Sequence, residues 1–218
     1  MRLIRAKNYD DMSLKAANII AAQVSLNPKS VLGLATGSTP IGTYRHLVEW
    51  YQKGELDFGK AVSISLDEYC GLSGDHPQSY RRFMRENLFN HINIPADRSF
   101  LPDGTQTDSA LECARYDRII KEHNGIDLQL LGIGRNAHIG FNEPDSCFAC
   151  GTHQVTLTES TIAANTRFFE NEAQVPRQAY SMGMQAIMQA KRVLLIASGA
   201  DKAEAIRNSF FGPVTPQV

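Results

Sequence analysis

Apolar positions along this chain keep two rhythms. From Tyr9 to Ser25, the residues Met12, Ala16, Ile19, Ile20 and Val24 recur every three or four positions, the period of a helix with one buried face. Shorter apolar runs, Ser30–Leu34, Ala61–Leu66, Ile126–Leu131 and Arg192–Ala197, predict buried strands. Met1–Ile4 and Gln154–Leu157 predict two further short strands. Thr39 as N-cap and Pro40 at the first helical position open a helix that runs to about Gln52, where Gly54 stops it. Further helices are predicted over Ser79–Asn90, Ser109–His123, Ala179–Gln189 and Asp201–Phe211, the second closed by Asn124-Gly125. Strands alternating with helices predict an α/β fold, a parallel sheet with helices on both faces. Right-handed crossovers then bring the strand carboxyl ends to one edge. Thr158–Pro176 is long and polar, and is predicted to be an active-site lid.

Composition narrows the class. The chain has 218 residues, 43% hydrophobic and 21% charged, the profile of one globular domain spanning 1–218. Its 22 basic and 23 acidic residues leave a net charge of −1. There is no basic stripe, so nucleic acid and acidic membrane surfaces are poor partners. Met1–Asp11 carries charges throughout and has no apolar core of an export signal. No apolar run reaches the length of a membrane span. A cytoplasmic protein with reduced cysteines is expected. Cys147-x-x-Cys150 lacks a second pair and a thioredoxin-like context, so it reads as two loop cysteines.

The chemistry collects at four strand ends. Ala35-Thr36-Gly37-Ser38-Thr39-Pro40 offers backbone N–H groups and hydroxyls at a helix N-terminus, which favours an anion. No Gly-Lys-Ser/Thr follows, so it is not a Walker A loop. Asp67-Glu68-Tyr69 puts two adjacent carboxylates after a strand, and their repulsion predicts an unusual pKa for one of them. Gly132-x-Gly134-x-x-Ala137 loosely matches a dinucleotide fingerprint, but Pro144 leaves no room for the helix that motif needs. His138 and Glu143 in the same segment instead suggest proton transfer on a small molecule. Lys202, in the first turn of a helix, opposes the helix dipole unless an anion binds there, and Arg167 could reach the same anion. His138 has no second histidine at ligand spacing, so neither a metal nor a cofactor is expected.

Together, Gly33-Leu34-Ala35-Thr36-Gly37-Ser38-Thr39-Pro40, Leu66-Asp67-Glu68-Tyr69, Gly134-Arg135-Asn136-Ala137-His138-Ile139-Gly140-Phe141-Asn142-Glu143-Pro144 and Asn165-Thr166-Arg167-Phe168-Phe169 resemble the glucosamine-6-phosphate deaminase family. The resemblance covers nearly the whole chain. It implies a Rossmann-like, doubly wound fold and a sugar-phosphate substrate. It implies that glucosamine 6-phosphate and water become fructose 6-phosphate and ammonia. It further implies that Asp67 removes the C2 proton, that His138 opens the sugar ring, and that Glu143 orients and tunes His138. Thr36, Gly37, Ser38, Thr39, Arg167 and Lys202 would hold the phosphate.

Four departures qualify the likeness. Asn136 stands where the longer, allosteric members carry an Asp, which points to the short, non-allosteric branch; the missing allosteric residues and the short length then imply, by that resemblance, a monomer or small homo-oligomer. There the amide is expected to hydrogen-bond the imidazole. Ala137 stands where Gly is usual, at a cost of about 1 kcal/mol or more if its φ is positive. The family is also expected to continue past Val218 into a last strand and helix. The competing readings are a 6-phosphogluconolactonase-like hydrolase, which needs no C2 base, and a non-catalytic sugar-phosphate sensor. His153 and Val155 occupy positions where allosteric members carry activator-binding basic residues. N-acetylglucosamine 6-phosphate should therefore leave the rate curve unchanged, and a sigmoidal curve that it turns hyperbolic would refute this.

Overall fold

The computed structural model describes residues 1–217. Helix α1 (Tyr9–Leu26) buries Met12, Ala16, Ala17, Ile20 and Val24, as its period requires, and Asn8 caps it by accepting from the Asp11 N–H. Strand β1 (Val31–Leu34) follows, then α2 (Ile41–Gln52), β2 (Val62–Ser65), β3 (Asp67–Tyr69), α3 (Tyr80–Asn87), β4 (Ser99–Phe100) and α4 (Ser109–Glu122). The chain continues through β5 (Leu128–Leu131), β6 (His153–Thr156), α5 (Glu159–Asn165), β7 (Gln178–Ser181), α6 (Met184–Met188), β8 (Val193–Leu195) and α7 (Ala203–Phe211).

The main sheet has five strands in the order β4-β2-β1-β5-β8. All four pairings are parallel, with Val31 opposite Val62, Leu32 opposite Leu128, Ser63 opposite Ser99 and Gln129 opposite Val193. Strands β1, β2 and β5 are buried along their whole length; β1 and β5 read as near-continuous apolar runs, whereas β2 alternates Val62 and Ile64 with Ser63 and Ser65, which are small enough to be buried as well. Successive strands run outwards from β1 to β4, then return to β5 on its other side. That reversal opens a crevice at the carboxyl ends of β1 and β5, where doubly wound sheets bind ligands.

A second, antiparallel sheet, β3-β7-β6, stands beside this edge. Asp67 pairs with Ser181 and Tyr69 with Ala179, while His153 pairs with Ser181 from the other side. A small apolar cluster of Tyr69, Phe141, Leu157, Ile162, Val175 and Ala179 joins this sheet to the 158–176 segment.

Four expectations need correction. Asp67–Tyr69, expected only to follow a strand, forms a strand of its own, and Ala179–Ser181 belongs to strand β7 rather than to a helix. The helical period there was outweighed by pairing to two strands distant in sequence, which no local window reveals. Helix α6 begins only after Gly183, where a Cβ would stand 2.2 Å from the carbonyl oxygens of Cys150 and Gly151. Met1–Ile4 pairs with no strand among the described residues, and Met1 and Leu3 are 97% and 75% exposed. Thr39 does not cap α2, whose N-cap is Pro40, with no side-chain bond.

Gly33 lies opposite Gln129 in the β1–β5 pair, and a Cβ there would come within 2.1 Å of the fully buried Gln129 side chain. Gly33→Ala should lose about 1–3 kcal/mol of stability, read from the urea midpoint at unchanged slope.

Candidate active site

The carboxyl ends of β1, β2, β5 and β8 all open into one cleft of ≈ 1020 Å³. Its lining brings together Thr36, Gly37, Ser38 and Thr39, then Asp67, Asn136, His138, Arg167 and Lys202. Glu143 lies behind the imidazole and does not line this cleft, and its side chain is 5% exposed. A wider trough of ≈ 1530 Å³ shares the His138–Glu143 loop and is walled by apolar residues such as Ile19, Ile196 and Phe211. The converging polar groups belong to the smaller cleft, and so does the chemistry.

The loop after β1 is held from two sides. The buried Tyr44 hydroxyl donates to the Ala35 carbonyl at 2.5 Å. The Tyr9 hydroxyl donates to the Ser38 carbonyl at 3.1 Å and accepts from the Gly42 N–H at 2.8 Å. Gly37 takes φ +88° at the turn, a conformation that suits glycine. Across the cleft, burial lowers the pKa of Lys202, and the nearby Arg135 and Arg167 cations lower it further against the opposing pull of Asp201. Cations that crowd one another in this way are relieved by an anion. Arg135 was not among the residues expected at the site. It sits in the quoted motif, but its side chain pairs with Asp201, 66 residues on, at 3.1 Å. No local pattern reports that contact.

Asp67 and Glu68 divide the work of adjacent carboxylates. Glu68 is turned away from the cleft and accepts from the backbone N–H groups of Tyr69, Tyr80 and Arg81, each at 2.9 Å, which ties it to the start of α3. Burial raises its pKa to about 7 against those three donors. Asp67 faces the cleft, is 6% exposed, and its Oδ1 has no hydrogen-bond partner among the described residues. Burial, with a smaller contribution from Glu68, pushes its carboxyl up to about 8. A desolvated carboxylate with an unpartnered oxygen at a cleft wall is poised to take a proton.

The loop after β5 carries the imidazole. The ring of His138 lies so close over Gly134 that a Cβ there would come within 2.4–2.6 Å of three ring atoms, so only glycine fits. Gly134 N–H donates to the His138 carbonyl at 2.8 Å and closes the loop. Ala137 takes φ +70°, left-handed for a residue with a Cβ, so the expected strain of about 1 kcal/mol or more is present. His138 Nδ1 stands 3.5 Å from Glu143 Oε2. Asn136 does not bond the imidazole, contrary to expectation. Its Nδ2 donates to Glu143 Oε2 at 2.8 Å and its Oδ1 accepts from the His138 backbone N–H at 3.3 Å. The short side chain, two residues before His138, is spent on the loop and on the carboxylate rather than on the ring. Burial raises the pKa of Glu143, but the facing His138 imidazole, the Thr161 hydroxyl and the Asn136 amide outweigh it and hold the carboxyl at about 2.

The 158–176 segment lines the cleft with residues that include Thr161, Arg167 and Phe169. It forms α5, two short 3-10 turns at Thr166–Phe168 and Glu172–Gln174, and the chain between them. Phe169 packs its edge on Tyr69 at 5.9 Å, and Tyr69, Tyr80 and Phe141 stack behind it at 4.9–5.7 Å.

Residues 6–216 match the family model of the glucosamine-6-phosphate isomerases and 6-phosphogluconolactonases. The chain belongs to this family. A relative from Lachnoclostridium phytofermentans, named glucosamine-6-phosphate deaminase, is 59% identical over 218 residues, all of this chain and 92% of that one. A solved structure described as a monomeric glucosamine-6-phosphate deaminase superposes with a TM-score of 0.97 at 44% identity, over all of this chain and 90% of that one. A 6-phosphogluconolactonase structure from Thermotoga maritima gives 0.73 at 18% identity over 99% of this chain and 91% of that one, which shows the shared fold alone.

The raised pKa of Asp67 has a thermodynamic signature. In the unfolded chain the carboxyl returns to its ordinary value of 3.8. The folded state therefore binds the proton more tightly, and stability falls as pH rises from about 4 to about 8. Asp67→Asn, which cannot ionise, should melt several degrees higher than the native chain at pH 8.5. The two should melt together near pH 4. Equal melting temperatures at pH 8.5 would place Asp67 in contact with water.

Proposed function

We propose that this protein is a glucosamine-6-phosphate deaminase, converting glucosamine 6-phosphate and water into fructose 6-phosphate and ammonia. The observation that carries the reading is Asp67, a buried carboxylate with a free oxygen on the same cleft as His138 and a set of anion-binding groups. Backbone and hydroxyl groups of Thr36, Gly37, Ser38 and Thr39, with Arg167 and Lys202, grip the phosphate. Fixing that remote group converts its binding energy into alignment of the reacting carbons. His138 relays the proton between the anomeric hydroxyl and the ring oxygen, and the ring opens. Glu143, held ionised, steadies the imidazolium that forms, and Asn136 fixes Glu143 and the loop. Asp67 then removes the C2 proton. Reprotonation at C1 leaves an imine at C2, water adds to that carbon, and ammonia departs.

A 6-phosphogluconolactonase would use the anion site and the imidazole but has no carbon-bound proton to remove. A dehydrated, unpartnered Asp67 would then be a cost without a use. For a sugar-phosphate sensor, the strained histidine loop would be equally idle. The residues read as one unit spanning 1–218, with 158–176 as the lid over the cleft. No helix among the described residues is long and apolar enough to cross a membrane, and the solved relative is described as monomeric. We place the enzyme in the cytoplasm, where phosphorylated sugars are held, as a monomer or small homo-oligomer.

Incubation with glucosamine 6-phosphate should yield ammonia and fructose 6-phosphate in equal amounts. Asp67→Asn should abolish exchange of the C2 proton with solvent while the sugar phosphate still binds. Because Asp67 acts as a base only when ionised, kcat/KM should climb with pH and level off above about 8. Well-folded protein that releases no ammonia, or exchange retained in Asp67→Asn, would defeat the assignment.

A further inference from the structure

Glu143 has two carboxylate oxygens, and only one of them meets the imidazole. Oε2 faces His138 Nδ1 at 3.5 Å and accepts from Asn136 Nδ2 at 2.8 Å. Oε1 accepts a short hydrogen bond from the hydroxyl of Thr161. Thr161 does not come from the histidine loop. It lies on α5, 18 residues further along the chain, and is 4% exposed. Its hydroxyl is itself oriented. Thr158, the N-cap of α5, donates from Oγ1 to Thr161 Oγ1 at 3.1 Å, and the same Thr158 oxygen accepts from the Thr161 N–H at 3.3 Å. The donation from Thr158 leaves the Thr161 proton free to point at Glu143, and hydrogen bonds in such a chain strengthen one another.

We propose that Thr161 is a positioning residue for the proton relay: its hydroxyl fixes the rotation of the Glu143 carboxylate, so that Oε2 is presented to His138. A carboxylate on a two-carbon stem has a soft terminal torsion, and a single bond from Asn136 leaves it free to turn about that contact. The Thr161 bond supplies the second point. It is also the side-chain bond by which the 158–176 segment reaches the imidazole's partner. Helix α5 runs directly into the 3-10 turn that carries Arg167, and Thr166 Oγ1 donates back to the Ile162 carbonyl at 3.0 Å. The element that grips the substrate's anion therefore also aligns the group behind the imidazole. Local sequence could not show this. Thr161 reads there as one polar residue of the long 158–176 segment.

The proposal rests on the deaminase reading, and its test separates the two. Thr161→Val keeps the shape and deletes the hydroxyl, whereas Thr161→Ser keeps the hydroxyl. The valine variant should lower kcat about 10-fold or more, with KM for glucosamine 6-phosphate changed less than about 3-fold, since the phosphate contacts are intact. The serine variant should return kcat to within about 3-fold of the native value. Without substrate, the His138 Nδ1 resonance in histidine-labelled protein should move in Thr161→Val and return in Thr161→Ser. If valine does not fold, Thr161→Ala replaces it in both measurements. Native kcat in the valine variant, an equal loss in valine and serine variants of equal melting temperature, or an unmoved His138 resonance would overturn the proposal. Native protein that forms no ammonia would overturn the deaminase reading instead, and the resonance would still report on Thr161.

Discussion

The parallel pairing of β1 with β2 on one side and β5 on the other is the constraint on which this molecule depends. It forces the loop after Leu34, the strand end before Asp67 and the loop after Leu131 to emerge at the same edge. Nothing in the local chemistry of these segments would otherwise bring them together, since 97 residues separate Leu34 from Leu131. The site is a product of topology first and of side chains second. The strands contribute burial and direction, and the residues two to seven positions beyond their ends line the cleft.

The second sheet adds what the first cannot. A parallel sheet edge offers loops, and loops hold side chains loosely. By placing Asp67 within β3, paired to β7, the fold gives a charge-bearing residue the fixity of a strand. It gives the same fixity to Phe141 and Asn142, which are tied to Ser181 at the end of β7. The Phe141 N–H and Asn142 Nδ2 reach Ser181 Oγ at 3.1 and 3.2 Å. The carboxylate wall and the histidine loop are thus referenced to one strand, so their separation is set by backbone pairing rather than by flexible chain.

What the sequence made legible follows from the range of the forces involved. Burial of β1, β2 and β5 on both faces is written into each run of residues, so these strands were readable within a residue or two. Helix α1 was readable because one face is apolar along its whole length. The polar clusters at the strand ends were readable because each follows an apolar segment, Asp67 at once and His138 and Lys202 within seven residues. By contrast, β7 owes its existence to β3 and β6, more than 100 and more than 20 residues away, and its own Ala-Tyr-Ser-Met stretch carries a helical period. The contacts of Arg135, Asn136 and Thr161 escaped for the same reason: each is made with another segment or set by the fold of its own loop. Ala137 was the opposite case, where a single residue type out of place announced a left-handed backbone that the structure contains.

The two acids of β3 carry a consequence for how this chain can change. Successive side chains of a strand point to opposite sides, so Asp67 looks into the cleft while Glu68 looks into the start of α3. Their functions are therefore separated by parity and not by distance. Loss or gain of one residue between β2 and β3 would reverse their parity, turning the longer acid to the cleft side and the shorter one to the helix side. Both residues would still be carboxylic acids, in the same order and the same strand. The length of this connection thus decides which acid lines the cleft as much as the identity of the two residues does.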